Sequence, residues 1–307
     1  MFEVDPKLAL AGLLVGFMVG LTGMGGGALM TPLLVLGFGI DPTKAIGSDL
    51  VVSVLMKPFG AAVHHRAGTV RWEMIKWLVP FAIPAGFLGA FLLQFLGEGE
   101  ELQNRMKLAI GAALLIAVAG MIGRMLIGEV RNKTTPLRPD EKLEVRKLET
   151  ALVGVFGGLI VGITSVGSGS LIIIAMMLLY PRLRANDLVG TDLIQAVPLV
   201  GAAAIGHMIA GDVSFELTTS LLIGAIPGTI IGARASAKAP SSVLKWVLAV
   251  VLLASGLTLW GVPQPIVYLL GAALAFVGMD MTARRSRHPW AIKYAEIRHL
   301  KTRYTKK

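Results

Sequence analysis

Lys57 stands about two-thirds along an otherwise apolar run, residues 43–63, and is followed by Pro58. A lysine near the centre of a bilayer costs about 2.5–3.5 kcal/mol on insertion scales. It therefore needs a partner, a cavity or an anion. Two readings stand for it: counter-charge for an anionic ligand, or a long stem that snorkels to the nearer surface. Asp49, one helix face earlier in the same run, and Asp192 each follow a short Gly-containing motif, Gly47-Ser48 and Gly190-Thr191. They suit a proton or cation that couples transport, and equally suit first-turn acids favoured by a helix dipole. Gln195 lies three residues beyond Asp192 and shares its face in a helix. Its amide could bind substrate or bridge helices.

Two small-residue clusters interrupt the longest apolar stretches, Gly23-Met24-Gly25-Gly26-Gly27 and Ser165-Val166-Gly167-Ser168-Gly169. Glycine is costly in a helix interior, so each cluster predicts a break. Irregular backbone at membrane depth persists only where protein or water satisfies it. A helix beginning at Gly26-Gly27 or at Ser168-Gly169 would aim its first N–H groups at the protein centre. Such groups attract anions, for about 0.3–1 kcal/mol each at exposed sites. Thr22, Thr164, Ser165, Ser168 and Ser170 add hydroxyls. The competing reading is close helix packing through small residues. The candidate binding residues are thus Thr22, Gly25, Gly26, Gly27, Lys57, Thr164, Gly167, Ser168, Gly169 and Gln195, with Asp49 and Asp192 for coupling.

Other chemistries find less support. His64 and His207 sit at helix ends beside Gly-containing loops, which suits surface or gating histidines better than a metal site. The chain has no cysteine, which removes thiol catalysis and Cys-ligated metal. No Walker, HExxH or dinucleotide pattern occurs, so no metal and no cofactor is expected. Gly167-Ser168-Gly169 leaves open a membrane hydrolase using Ser168, although no base is evident in the sequence.

The elements that must hold these residues are membrane helices. The chain has 307 residues, 54% of them hydrophobic and only 16% charged, with a mean hydropathy of +0.72. A spanning helix needs roughly 20 mostly apolar residues. Such segments occur at 8–38 (interrupted), 43–63, 74–96, 106–128, 150–180 (interrupted), 188–210, 217–236, 243–260 and 263–281. The net charge of +10 resides in loops and tail, where retention of Lys and Arg in the cytoplasm explains it without nucleic acid. The loops alternate in sign only if each interrupted segment returns to the side it entered. That places the N-terminus outside and the C-terminus inside. Met1 to Lys7, with Glu3 and Asp5, does not look like a cleaved signal.

The chain also repeats itself. Gly20-Leu21-Thr22 parallels Gly162-Ile163-Thr164, Gly47-Ser48-Asp49-Leu50 parallels Gly190-Thr191-Asp192-Leu193, and Pro84 and Gly89 parallel Pro227 and Gly232. The offset is 142 residues before the loop at 37–42 and 143 after it. Three crossings separate the two hairpins, and an odd number turns the second repeat over. Inverted repeats with paired helix breaks are an architecture of secondary transporters. The expected fold is an all-α polytopic membrane protein with two inverted-topology repeats. Each has a Gly-rich broken-helix hairpin plus three transmembrane helices, and one extra helix follows. The boundaries are 1–128 for repeat 1, 129–149 for a basic cytoplasmic linker, 150–262 for repeat 2, 263–283 for the extra helix and 284–307 for a basic tail.

These residues also carry a resemblance. Gly20 to Gly27 with Pro32, Gly47-Ser48-Asp49-Leu50 with Lys57 and His64, Gly68-Thr69-Val70, Gly167-Ser168-Gly169-Ser170-Leu171, Tyr180-Pro181-Arg182-Leu183 and Gly206-His207 resemble the TauE/SafE family of sulfite exporter-like permeases over roughly residues 8–262. The resemblance implies transport of sulfur-containing anions such as sulfite, sulfoacetate and other organosulfonates. The expectation is therefore a secondary transporter, not an enzyme, moving a small anion across a bacterial inner (plasma) membrane, with proton coupling at Asp49 or Asp192. A passive anion channel is the alternative beside the Ser168 hydrolase. The partners expected are the anion, the lipid bilayer and a second copy in a homodimer.

Overall fold

The computed structural model describes residues 4–22, 26–66, 68–97, 99–130, 141, 143–183, 185–236 and 241–287. Among them every regular element is helical. The first interrupted segment forms α1 (Pro6–Thr22) and α2 (Gly27–Pro32), which widens into a π turn over Leu33–Gly37 just after Pro32. Proline lacks an N–H, and a π turn is one way a helix absorbs such a fault. α3 (Pro42–Arg66), α4 (Trp72–Leu92) and α5 (Gly99–Val130) complete the first half. The second half repeats the order as α6 (Lys147–Thr164), α7 (Leu171–Leu179), α8 (Ala185–Ala210), α9 (Phe215–Ser236) and α10 (Ser241–Leu259). α11 (Gln264–Arg287) is the extra helix and packs on α10.

Six helices are long and apolar enough to cross a membrane: α4, α5, α6, α8, α9 and α11. α3 is as long but less apolar, because it carries Ser48, Asp49, Ser53 and Lys57, all buried. The large apolar residues of α11, among them Tyr268, Leu269 and Phe276, lie on the outside. In water that would be a liability, and against lipid it is the expected face. The chain is a multi-pass membrane protein.

The two halves are interleaved. α1 packs on α9 and α6 packs on α4, while α3 and α8 meet in the middle. The same small contacts occur twice with the halves exchanged. The Ser214 N–H donates to Ser48 Oγ (3.3 Å), and the Arg71 N–H donates to Thr191 Oγ1 (2.9 Å). Gly47 abuts the Asp212 carbonyl and Gly190 the Thr69 carbonyl. Gly12 and Gly16 of α1 lie against the backbone of α9 at Leu221 and Ala225. Gly154 and Gly158 of α6 lie likewise against α4 at Leu78 and Ala82. Without a side chain at these points the backbones approach closely, which is how membrane helices gain packing energy.

Several sequence expectations shift. Glu100 and Glu101 lie in the first turn of α5, where the helix dipole favours them. α3 and α8 begin well before Asp49 and Asp192, so neither is a first-turn acid. On α8 that place belongs to Asp187. Most of the expected basic linker, and the tail from residue 288, lie outside the described residues.

Candidate transport site

The breaks after α1 and α6 meet at the centre. Gly27, which opens α2, lies directly against the Ser165 carbonyl, and a Cβ there would overlap it. Ser165 caps α6 in the left-handed conformation, with φ 57°, and its N–H donates to the Val161 carbonyl (2.8 Å). It is the non-glycine residue with positive φ among the described residues, a conformation that costs an L-residue about 1–2 kcal/mol. Gly167 and Gly169 follow with φ of 128° and 103°, which only glycine adopts readily. The turn they form carries Ser168 and Ser170.

α3 brings its charges to this junction. Lys57 is 4% exposed, and its Nζ donates to Ser168 Oγ at 2.5 Å. Snorkelling to the surface is thereby overturned, because the ammonium is held inside by the other half's broken helix. Asp49 is fully buried, and its Oδ2 accepts from Thr31 Oγ1 (2.9 Å) and Ser165 Oγ (2.7 Å). From α8, Gln195 Nε2 donates to Asp192 Oδ1 (2.9 Å), as their three-residue spacing predicts. Among the described residues, the buried side-chain oxygens without a hydrogen-bond partner are Asp49 Oδ1, Ser170 Oγ and Gln195 Oε1. All three belong to the segments that build this junction. A buried polar atom left unpaired costs about 1–3 kcal/mol, so their clustering here suits a place kept for a polar ligand.

Not every expected residue is aimed at that place. The Thr164 hydroxyl donates to the Ile160 carbonyl (2.6 Å) and accepts the Val166 N–H (3.1 Å), a local role in ending α6. The Gly167 carbonyl accepts N–H groups from Ser170, Leu171 and Ile172. Fewer leading N–H groups of α7 are therefore free than the sequence suggests. Gly26 borders Ser53 Oγ and Asp49 Oδ1. Gly25 and the Thr22 side chain lie outside what is described. Thr31 and Ser53 were not read from the sequence as site residues. Ser53 had a usable signal, four residues from both Asp49 and Lys57 on one helix face.

His207 corrects a further expectation. It is fully buried, with Nε2 against the Gly162 carbonyl (2.7 Å) and Nδ1 against Asp212 Oδ2 (3.1 Å). It ties α8 to α6 and the following loop instead of lying on the surface. On one flank of the bundle, Arg71 pairs with Asp187 at 3.2 Å, with side-chain exposures of 9% and 1%.

A family model described as sulfite exporter TauE/SafE matches residues 8–259. The chain belongs to the TauE/SafE family. A TauE/SafE-like relative from Bacillus subtilis, probable membrane transporter protein YjnA, is 39% identical over 258 residues, covering 83% of this chain and 100% of the relative. Probable membrane transporter protein YdhB, from the same organism, is 26% identical over 232 residues, covering 76% and 90%. A probable membrane transporter protein of Xylella fastidiosa is 29% identical over 235 residues, covering 74% and 84%. No solved structure matches the chain. The Lys57–Ser168 junction thus joins the two halves of a TauE/SafE family protein.

Proposed function

We propose that the chain is a secondary transporter for a small anion, sulfite or an organosulfonate such as sulfoacetate, in the bacterial inner membrane. The observation that carries this reading is Lys57, buried at the point where the two broken helices meet and bonded to Ser168. A buried ammonium beside hydroxyl donors fits an oxyanion, and the family's description names sulfite. The contacts that exchange the two halves support inverted repeats rocking around this centre. The sign pattern of the loops supports an external N-terminus and a cytoplasmic C-terminus. Two carboxylates beside the lysine support coupling of the anion to protons.

The test is flux of radiolabelled sulfite, sulfoacetate and thiosulfate into proteoliposomes, with and without an imposed pH gradient. Saturable, gradient-driven flux of one anion is expected. Flux that neither saturates nor responds to the gradient would identify a channel instead. Labelling of single introduced cysteines checks the topology. A label that reaches Glu100 only from the cytosolic side would overturn the inversion.

The Lys57–Ser168 contact also favours a second reading, since a serine next to a lysine is a known nucleophile–base pair. Here the lysine donates to the serine and is balanced by two carboxylates, the arrangement of a counter-charge rather than of a base. Loss of a hydrolytic turnover in Ser168→Ala, with anion binding intact, would reverse that choice.

A further inference from the structure

We propose that Asp49, rather than Asp192, carries the coupling proton. The inference rests on the transport reading and assigns separate roles to two carboxylates that the sequence treats as equivalents.

The assignment begins with their surroundings. Asp192 is held by the amide of Gln195, which donates to its Oδ1. Asp49 is held by the neutral hydroxyls of Thr31 and Ser165, both on Oδ2. Its Oδ1 has no partner, is fully buried and borders Gly26 at the first break, next to Ser53 Oγ. An ionised carboxylate with a bare, buried oxygen bears a large desolvation cost, and one proton on that oxygen removes it.

The charges around Asp49 are few. α3 itself contributes Lys44 and Lys57, with His65 and Arg66 exposed at its far end. α8 brings Asp187, paired to Arg71, then Asp192, and His207, tied to Gly162 and Asp212. Glu216 and Arg234 of α9 are exposed, as are Glu101 and Arg105 of α5, where Lys107 is half-buried. α2 and its π turn carry no titratable side chain. Lys57, on the same helix as Asp49, is the buried ammonium of this group.

A charge count then gives the coupling. Lys57 against Asp49 and Asp192 leaves one excess negative charge, and a bound monoanion would raise it to two. Such an excess in a water-poor interior is prohibitive without compensation. A proton taken from the water onto Asp49 Oδ1 forms an O–H that donates to Ser53 or to a substrate oxygen. When the anion leaves on the other side, the proton leaves the same oxygen for water there. The proton and the anion travel together because the O–H is one of the anion's donors.

Infrared pH-difference spectra of the purified chain in lipid, without substrate, read the carboxyl directly. A carboxylic-acid C=O band is expected in the wild type and in Asp192→Asn, and is lost in Asp49→Asn. Persistence in Asp49→Asn, or loss only in Asp192→Asn, overturns the assignment. Ser165→Ala, which removes one hydroxyl from Asp49, moves the band's titration midpoint. An unmoved midpoint also overturns it. In proteoliposomes, Asp49→Asn loses pH-gradient-driven accumulation of sulfite or sulfoacetate, and Asp49→Glu, which restores a titratable carboxyl, recovers part of it. Accumulation that survives in Asp49→Asn, or that follows a sodium gradient instead, overturns the proposal. If the wild type moves none of these anions, the substrate reading falls, and the infrared result still decides Asp49.

Discussion

At equivalent points of the two halves stand Lys57 and Val200, Ser53 and Ala196, Thr31 and Ile173 on one pairing, and Gly26 and Ser168, Gly23 and Ser165 on the other. The first half supplies the ammonium and the hydroxyl-held carboxylate from α3. The second supplies the serines of its broken helix, together with Asp192 and Gln195. Their packing is nearly the same, down to the paired Gly47–Asp212 and Gly190–Thr69 contacts. A duplicated scaffold has therefore kept its backbone relations and divided its chemistry. Neither half contains a complete site, and the central hydrogen bonds, Lys57 to Ser168 and Ser165 to Asp49, each cross between halves.

That division can be broken first at Lys57. Lys57→Ala should lower anion uptake about 30-fold or more, since truncating one member of a buried charged pair costs about 2–5 kcal/mol. Membrane expression should persist, and Val200→Ala should leave uptake near wild type. Unchanged uptake in Lys57→Ala would remove it from the site. A second contrast lies at Arg71 and its equivalent Ser214. Arg71→Ala removes the ion pair of the buried Asp187 and should cost about 3–5 kcal/mol. Ser214→Ala removes only a helix-start hydroxyl from α9, near the Leu217 N–H, for about 1 kcal/mol. Thermal unfolding in detergent compares them, and equal losses would deny the asymmetry.

Ser165→Gly restores the residue type found at position 23 of the first half. The backbone gains from the loss of left-handed strain, while Asp49 loses a hydroxyl, so stability should change by less than about 1 kcal/mol. A larger loss in thermal unfolding would mean that the hydroxyl matters more than the strain. The smallest effect belongs to Asp41, in the connector before α3. Burial alone would raise its pKa, but bonds from the Thr43 hydroxyl and N–H and from Gln103, with the Lys44 charge, hold it below the ordinary 3.8. A carboxyl lowered on folding stabilises above its unfolded pKa, and that stability is lost as pH falls through the lower folded value. Asp41→Asn should therefore be slightly less stable than wild type near neutral pH, with the gap closing in acid. A gap independent of pH would count against this account.

The helical class and both breaks were legible because glycine clusters interrupt apolar runs too long for one span. The extra helix at 264–287 was legible for the same reason, as an apolar run of spanning length. Lys57 stood out by its cost alone. Its partner did not, because Ser168 lies 111 residues away and only the crossing of the halves brings them together. The first-turn reading of Asp49 and Asp192 failed because α3 and α8 begin at Pro42 and Ala185, so that Gly47 and Gly190 are close-approach points inside helices. His207 was misread for a related reason. Its position near a helix end says surface, but α6 lies over that end and its Gly162 carbonyl accepts the ring.

The pairing of α1 with α9 has a consequence for how the protein is made. α1, Pro6–Thr22, finds its main packing surface on a helix made much later, which begins at Phe215. At a synthesis rate of about 5–20 residues per second, α1 waits on the order of ten to forty seconds for its partner. During that interval its glycine-lined face, Gly12 and Gly16, is covered only by lipid or by the insertion machinery. The nascent protein is exposed to misassembly and to quality-control proteases at α1 until α9 arrives.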